Sequence, residues 1–386
     1  ERVAGLPLAM VILAGLSSAT RLSWKTIEKS MMESSMKSLE FGEKASKHDS
    51  VRVAFDISYR YLKRKAPNAT GVFMKTGLFA RPKGQLSALQ HVSNLNEALF
   101  QSAMDTLVYA NLIRIGSESN YPEGWSTHAL LRDYAEEIRL KKDFRRAAAE
   151  KRYVDYYGKL ALGFEEKFNQ GIIHPLDFAD AIPEICHAIE IAVNRNWGKD
   201  AVWLIRSSIS PMIAFGQFSS LEFLEKITEK ETEYSSRERV VLEGGLAKIK
   251  LWHNDHQGAI QLLEKVISAE FPTESINAAR TLAQVYLDEG KIENSEKYLD
   301  LAHSILEELP PGYPYPTQEL WGQYYEGLGN YYLHISQAQM AYDAFIHAQG
   351  FVVDHVGWTN HITNLIARCL LTLGDFEQTL TLLSSF

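Results

Sequence analysis

Cysteine, long apolar runs and net positive charge are all scarce in this sequence. Only Cys186 and Cys369 occur among 386 residues, so no disulfide framework is implied and a reducing cytoplasm is predicted. The apolar run at residues 5–16 is too short to cross a bilayer, which takes about 20 residues, so no membrane partner is expected. The formal net charge of −8 disfavours a surface that coats nucleic acid.

Motifs of catalysis are missing too. The sequence contains no phosphate loop of the form GxxxxGK[ST], and no GxGxxG, HExxH, CxxC or GxSxG. We therefore predict no catalytic residue and no metal ligand. The segment HNDH (253–256) is predicted to be a solvated turn. The acidic run from Glu222 to Glu233 lacks the loop spacing of a calcium site and is predicted to be a wet helix face.

A basic run over residues 139–152 could grip phosphates. Acidic residues, Asp143 and Glu150 among them, interrupt it. We therefore interpret the run as a surface helix that bridges two modules.

The signal that is present is helical. Residues 5–16 predict a buried helix, because proline suits a first helical turn, where its missing N–H costs nothing. Pro7 takes that place, and four apolar residues then share one face at helical spacing: Leu8, Val11, Ile12 and Leu16. Residues 22–45 continue as helix, with Trp24 and Ile27 as apolar contacts.

A second module is predicted between residues 46 and 138. Three helices, a strand-like LIRI segment (112–115), a polar turn (117–124) and a closing helix (125–140) are typical of a winged helix. Ser126 or Thr127 is predicted to cap the closing helix. His128 would stand at its start, where free N–H groups and the helix dipole favour an anion such as phosphate.

Repeats are the main feature of residues 181–386. Four similar segments start at residues 245, 281, 327 and 365, and a looser one covers 185–208. Each has a small residue in its first helix, a turn, and another small residue in its second helix. The predicted turns are at Asn254, Gly290, Ser336 and Gly374. The fold predicted for this region is a right-handed α-solenoid that resembles tetratricopeptide (TPR) repeats, with an unassigned ligand-binding surface on its concave face.

Read in order, these segments resemble the C-terminal part of an NB-ARC protein, a signalling ATPase of the STAND class. GLPLA (5–9) with the following Trp24, the VRVAFDISYRYL and VFMKTGLFARP segments, and the Thr127-His128-Ala129 triplet before LLRDYA carry the resemblance. The domains expected from it are the end of a helical subdomain (1–45), a winged helix (46–138), a helical linker (139–180) and the repeat sensor (181–386). The whole fold is then expected to be mainly α.

The resemblance also implies roles for two residues. Pro7 would line a nucleotide pocket, and His128 would contact the β-phosphate of ADP and hold a closed state. Ala129 departs from the aspartate usual in that motif. ADP and ATP are expected in the intact protein only, since the phosphate loop would lie upstream of Glu1. A first residue other than Met leads us to expect an excised or processed piece.

The predicted function is therefore that of the regulatory and sensor part of an NB-ARC switch, and not of an enzyme. Its expected partners are an upstream nucleotide-binding domain, an inducer protein or peptide on the repeats, and further copies when the switch opens. The alternative is a winged-helix regulator that binds DNA, but its third helix carries Glu97 and Asp105 and no Lys or Arg. A passive repeat scaffold would leave residues 1–140 without a purpose.

Overall fold

The computed structural model describes residues 7–40, 47–116, 123–142, 146–169, 175–217, 219–220, 222–223, 225, 234–311, 313, 317–351 and 356–384. Over these ranges the chain is almost wholly helical and carries one small sheet, which confirms the predicted mainly α fold. None of the helices described is both long and apolar enough to cross a membrane. The chain divides into two compact units: unit 1 is Glu1–Tyr157 with Pro183–Ile191, and unit 2 is Gly158–Ile182 with Ala192–Phe386.

Unit 1 combines helices with a three-stranded antiparallel sheet. Its elements are α1 (Pro7–Thr20), α2 (Trp24–Glu40), α3 (Lys47–Lys65), α4 (Pro67–Thr76), β1 (Lys83–Gln85), α5 (Leu86–Ser93), α6 (Glu97–Tyr109), β2 (Arg114–Ile115), β3 (Gly124–Ser126), α7 (Ala129–Lys142) and the first part of α8 (Arg146–Asn169). β3 lies between β1 and β2, and Trp125 in β3 pairs with both Gly84 and Ile115.

The sheet corrects the prediction for the start of the closing helix. Trp125 was expected in that helix but lies in β3, fully buried, with its ring edge-on to Phe79 at 5.0 Å between centroids. β1 was not predicted at all. With only two or three residues each, such strands leave no alternating pattern that a sequence can show.

Helix α1 buries one face, as predicted, although that face differs from the expected one. Ala9, Ile12, Leu13 and Leu16 are at most 1% exposed, whereas Val11 is 47% exposed. The prediction for Val11 is wrong because the buried positions follow a spacing of 3, 4 and 7 from Ala9. The expected contact of Trp24 is wrong as well, since that residue is 52% exposed. Of the GLPLA segment, residues 5–6 lie outside the described ranges.

Unit 2 is built from paired helices. It takes the rest of α8, parts of α9 (Pro175–Asn194), and then α10 (Gly198–Ala214), α11 (Ser236–Trp252), α12 (His256–Ile267), α13 (Pro272–Asp288), α14 (Ile292–Glu307), α15 (Thr317–His334), α16 (Ala338–Phe351), α17 (Val356–Leu373) and α18 (Phe376–Ser384). Each odd-numbered helix from α11 packs on the even-numbered helix that follows it. We call the odd-numbered ones the first helices.

The predicted turns are confirmed, and they share one backbone geometry. Asn254, Gly290, Ser336 and Gly374 all have φ between 60° and 80°. The N–H of the residue after each turn reaches the carbonyl five residues back, as from Asp255 to Lys250 at 2.9 Å. This is the Schellman motif, which satisfies the last carbonyls of a helix. Asn196 ends α9 in the same way, with φ of 55°.

Small residues allow the paired helices to approach closely, as their pattern predicted. Those of the first helices, Ala247, Ala283, Gly329 and Ala367, are all buried. A Cβ atom on Gly329 would overlap the ring of Phe345 in α16. Large side chains fill the groove to the next pair, as where Leu299 packs among Leu320 and Tyr324. The right-handed sense of the solenoid stays a prediction.

Candidate functional site

His128, the residue assigned to ADP by resemblance, occupies the N-cap of α7. Its carbonyl accepts the N–H of Arg132 at 3.1 Å, and its Nδ1 accepts the N–H of Leu130 at 3.2 Å. The predicted cap from Thr127 is wrong, because that hydroxyl donates to the carbonyl of Leu112 instead. Residue 128 is exposed, and its Nε2 atom has no hydrogen-bond partner among the described residues.

Pro7, the other residue assigned to the nucleotide, begins α1 and is exposed. It lies in unit 1 with His128, but on a helix whose contacts are with α2, α3 and α6. Asn111, just beyond α6, donates its side-chain amide to the carbonyl of Val11 at 3.1 Å. The roles of Pro7 and His128 toward a nucleotide stay predictions.

The basic run of residues 139–152 has partners inside unit 1. Arg139 was expected on the surface, but it is buried and donates to Glu150 at 2.8 Å. Arg152 donates to the carbonyl of Val92 at 3.0 Å. The run therefore belongs to two helices, α7 and α8, which the ion pair between Arg139 and Glu150 joins, and not to one surface helix.

The HNDH segment forms the turn that its position in the repeat predicts. Asp255 accepts from the N–H of Gly258 and from Lys250, both at 2.9 Å, and His256 lies 3.4 Å from a carboxylate oxygen of Glu289. No group of three potential metal ligands occurs in the described parts of the chain. Of the acidic run, residues 226–233 lie outside those parts.

A buried carboxylate, which sequence reasoning missed, organises unit 1. Glu184 is 1% exposed and accepts from the N–H groups of Ala80 and Arg81 at 2.9 and 3.1 Å and from the hydroxyl of Tyr153 at 2.5 Å. Burial and the charge of Glu184 raise the pKa of Tyr153. Because several donors satisfy this carboxylate, its role is structural.

Polar side chains on the first helices of unit 2 form a second cluster, also missed. We call the surface they share the first-helix face: Lys248 on α11, Arg280 on α13, Gln323 and Glu326 on α15, and Trp358 and His361 on α17. Arg280 donates to Gln323 at 2.8 Å, and the indole of Trp358 donates to Glu326 at 2.7 Å. His361 Nε2 lies 3.3 Å from the other oxygen of Glu326.

The repeat register explains these links. Arg280 and Glu326 each stand one residue before the repeat starts at 281 and 327, while Gln323 and His361 each stand four residues before the next start. The same two positions of neighbouring repeats therefore meet twice. Aligning the repeats could have shown this, but their apolar positions, and not their polar ones, define the pattern.

Glu326 is the negative centre of this cluster. Burial by itself would raise the pKa of its carboxyl group. The hydrogen bond from His361, the charge of Arg280 and the indole of Trp358 outweigh burial and lower that pKa. The hydrogen bond to Glu326 in turn raises the pKa of His361.

Two lysines on α11 lie in opposite electrostatic environments. Hydrogen bonding to Asp255 raises the pKa of Lys250. Partial removal of the ammonium group from water lowers the pKa of Lys248. The charges of Arg280 and Arg206 lower it further, and the charge of Glu165 offsets them in part. Lys248 keeps contact with solvent although protein surrounds it on most sides.

Comparison with known proteins places this fold. Neither a protein-family model nor a curated protein matches the sequence. A solved structure matches the fold: a signal transduction ATPase with numerous domains (STAND) that has a tetratricopeptide repeat sensor, from Pyrococcus horikoshii. The two share 13% identity and a TM-score of 0.62, over 89% of this chain and 46% of that one. The likeness shows the fold. This chain thus spans less than half the length of that protein.

Two further solved structures have lower similarity. BtubC from P. vanneervenii matches 62% of this chain with 14% identity and a TM-score of 0.36. TPR-like repeats of a kinesin light chain from Podosopora anserina match 47% with 19% identity and a TM-score of 0.34. Both TM-scores lie below 0.5.

Proposed function

We propose that this chain is the regulatory and sensor part of a nucleotide-controlled switch protein of the STAND class. The observation that carries the proposal is the likeness over 89% of the chain, across both units, to a protein that combines a signal transduction ATPase with a TPR sensor. Unit 2 would bind an inducer protein or peptide, as stacked helical repeats do with their extended surfaces. Further copies would assemble when the switch opens.

Unit 1 would serve as the latch of that switch. The order α4, β1, α5, α6, β2, β3, with β3 in the middle of the sheet, supports the winged-helix interpretation. On α6, Leu99 and Tyr109 are exposed, Glu97 and Asp105 add negative charge, and no Lys or Arg is present. An apolar and acidic helix suits a protein contact better than DNA, so the winged helix would act within the protein.

His128 fits the proposed contact with the β-phosphate of ADP. Its Nδ1 is held by the N–H of Leu130, which leaves Nε2 to donate to an anion at a helix start, where the dipole favours negative charge. A phosphate loop is not among the residues of this chain. The nucleotide would therefore need an upstream domain, and the chain alone is expected neither to hydrolyse ATP nor to bind it tightly.

Nucleotide retention tests this proposal. We would purify the protein with its upstream nucleotide-binding domain and measure the ADP that remains bound after gel filtration. We expect His128→Ala to weaken ADP binding about 10–150-fold, since a hydrogen bond to a charged group contributes ~1.5–3 kcal/mol. His253→Ala is the matched control, an exposed histidine at a turn of unit 2.

Three results would contradict the proposal. Unchanged ADP retention by His128→Ala would contradict the proposed contact between His128 and the β-phosphate of ADP. ATP hydrolysis by the 386-residue chain that disappears in His128→Ala would make the chain an enzyme. A salt-dependent mobility shift with duplex DNA would favour the transcriptional regulator instead.

A further inference from the structure

The buried Glu184 and the exposed His128 of unit 1 are joined by a short path of hydrogen bonds. We propose that Glu184 is a positioning residue for His128, and that it acts through residues 77–82, which connect α4 with β1. We call this segment the α4–β1 loop. The proposal deepens the proposed function, on which it rests, by naming what fixes the geometry of the contact with ADP.

Glu184 binds the middle of the α4–β1 loop. Its Oε2 accepts the N–H of Ala80 at 2.9 Å, and its Oε1 accepts the N–H of Arg81 at 3.1 Å. The guanidinium of Arg81 also lies 3.6 Å from Oε1. Hydrogen bonds to a carboxylate are roughly twice as strong as those between neutral groups. Two of them on consecutive residues therefore fix the orientation of both peptide groups.

The peptide group between Phe79 and Ala80 carries this constraint to α7. A trans peptide is planar, so its N–H and its C=O point to opposite sides. The N–H of Ala80 faces Glu184, and the carbonyl of Phe79 accepts from Nε of Arg132 at 3.0 Å. The N–H of Arg132 in turn donates to the carbonyl of His128 at 3.1 Å. One rigid group thus connects the carboxylate with the first turn of α7.

The α4–β1 loop also holds the chain on the other side of His128. The carbonyl of Pro82 accepts the N–H of Thr127 at 2.8 Å. Phe79 and Pro82 flank the two residues that Glu184 binds, so the loop contacts the chain directly before His128 and in the helical turn after it. Because His128 is exposed, its place depends on these neighbours and not on packing of its own side chain.

Packing keeps the α4–β1 loop against α7 but does not fix its peptide groups. A Cβ atom on Gly77 would overlap the backbone of Glu136 in α7. The ring of Phe79 is fully buried and lies edge-on to Trp125. A peptide group can still rotate about the bonds that flank it. The carboxylate of Glu184 opposes such a rotation, because a buried N–H that loses its acceptor is costly.

Burial of a carboxylate does not by itself give this role, as Glu150 shows. The side chain of Glu150 is only 7% exposed, and it accepts from Arg139 at 2.8 Å. Arg139 lies in α7 about three helical turns beyond His128. Glu150 is therefore a matched control, since its substitution disturbs a buried carboxylate of unit 1 far along the helix from His128.

Hydrogen exchange of the 386-residue chain, followed by mass spectrometry, tests the path. The amide of Glu184→Gln cannot accept from both N–H groups, so exchange in residues 79–82 should rise about 10–150-fold, as for a lost hydrogen bond to a charged group. In residues 127–132 exchange should rise about 2–10-fold, as for one neutral hydrogen bond. Glu150→Gln should leave residues 127–132 unchanged.

Arg132→Gln tests the second link, and it keeps the proposal falsifiable if Glu184→Gln does not fold. The variant removes the donor to Phe79 and should also raise exchange in residues 127–132 about 2–10-fold. Arg152→Gln is its matched control, because the Nε of Arg152 likewise donates to a backbone carbonyl of unit 1 at 3.0 Å. This control should leave exchange in residues 127–132 as in the wild type.

Nucleotide retention connects this geometry with function, in the protein purified with its upstream nucleotide-binding domain. We expect Glu184→Gln to weaken ADP binding about 2–10-fold, less than His128→Ala, since the contact is displaced but not removed. Combined with His128→Ala, Glu184→Gln should cause no further loss. A residue that only stabilises the fold would lower ADP retention equally in both backgrounds.

Several results would overturn the positioning role. These are unchanged exchange of residues 127–132 in Glu184→Gln or, if that variant does not fold, in Arg132→Gln, an equal rise in Glu150→Gln, and an equal loss of ADP with and without His128. Failure of the switch gives a different result. If His128→Ala retains ADP as the wild type does, the switch is rejected, while exchange of residues 127–132 still decides whether Glu184 fixes His128.

Discussion

Glu184 in unit 1 and Lys248 in unit 2 show two ways in which a fold treats a charged side chain. Glu184 is buried, and three donors satisfy its carboxylate. Lys248 reaches solvent, and the charges nearest to it are mostly of its own sign. The first arrangement stabilises the native state, while the second costs free energy that a ligand of opposite charge can offset. The two side chains thus contribute to the stability of the native state with opposite signs.

Removal of Glu184 should break the first arrangement and give the largest effect. Glu184→Ala would leave two backbone N–H groups and the hydroxyl of Tyr153 without their acceptor, and should lower the free energy of unfolding by about 3–5 kcal/mol. Urea denaturation at neutral pH measures this decrease in the free energy of unfolding. Glu190→Ala, an accessible glutamate on the same helix, should change the value by under ~0.5 kcal/mol. Equal effects of the two variants would refute the structural role of Glu184.

Packing inside the repeats should respond next most strongly. Gly329→Ala would press a methyl group into the ring of Phe345 and should cost about 1–3 kcal/mol. Gly244 lies in a first helix with no atom near the place of a Cβ, so Gly244→Ala should stabilise unit 2 by ~0.5–1 kcal/mol. Thermal unfolding of both variants checks this contrast. The same sign for both would mean that close approach does not explain the small residue at 329.

The smallest effect concerns the link between Glu326 and His361. Because the pKa of His361 is raised in the folded state, this residue stabilises the protein fully at pH values below its unfolded pKa. The stabilisation is lost as pH rises through its folded pKa. Because the pKa of Glu326 is lowered in the folded state, this residue stabilises the protein at pH values above its unfolded pKa. The stabilisation is lost as pH falls through its folded pKa. Between about pH 4.5 and 6.5 both contributions are present.

A double-mutant cycle with Glu326→Gln and His361→Gln measures this link. Because His361 is partly exposed, we expect a coupling of about 0.2–1 kcal/mol near pH 5.5 that disappears near pH 9. A coupling that does not change with pH would show that the two residues interact only through packing.

The sequence predicted those features that repeat or that follow a helical period. Turn positions and small residues of the repeats were found because each occurs four times at the same offset. Val11 and Trp24 were placed wrongly, because periodicity tells that a helix has an apolar face but not how far that face extends. β1 was missed because its pairing with β3 joins residues about 40 positions apart, and a local pattern cannot show such a pairing.

The candidate sites were harder to predict for the same reason. Glu184 meets Ala80 across more than 100 residues, and Arg280 meets Gln323 across 43. In the sequence both look like ordinary charges on helices. The place of His128 at a helix start was predicted from a local pattern and is confirmed, whereas its role toward ADP came from the resemblance and stays a prediction. Its neighbour Thr127 was wrongly expected to cap that helix.

The Schellman turns give unit 2 natural points of recombination. Since each turn satisfies its own carbonyls within six residues, a helix pair cut between two such turns carries its termination signal with it. Duplication, deletion or exchange of one pair would leave the remaining turns intact. The first-helix face could therefore gain or lose charged positions one repeat at a time while the backbone stayed the same.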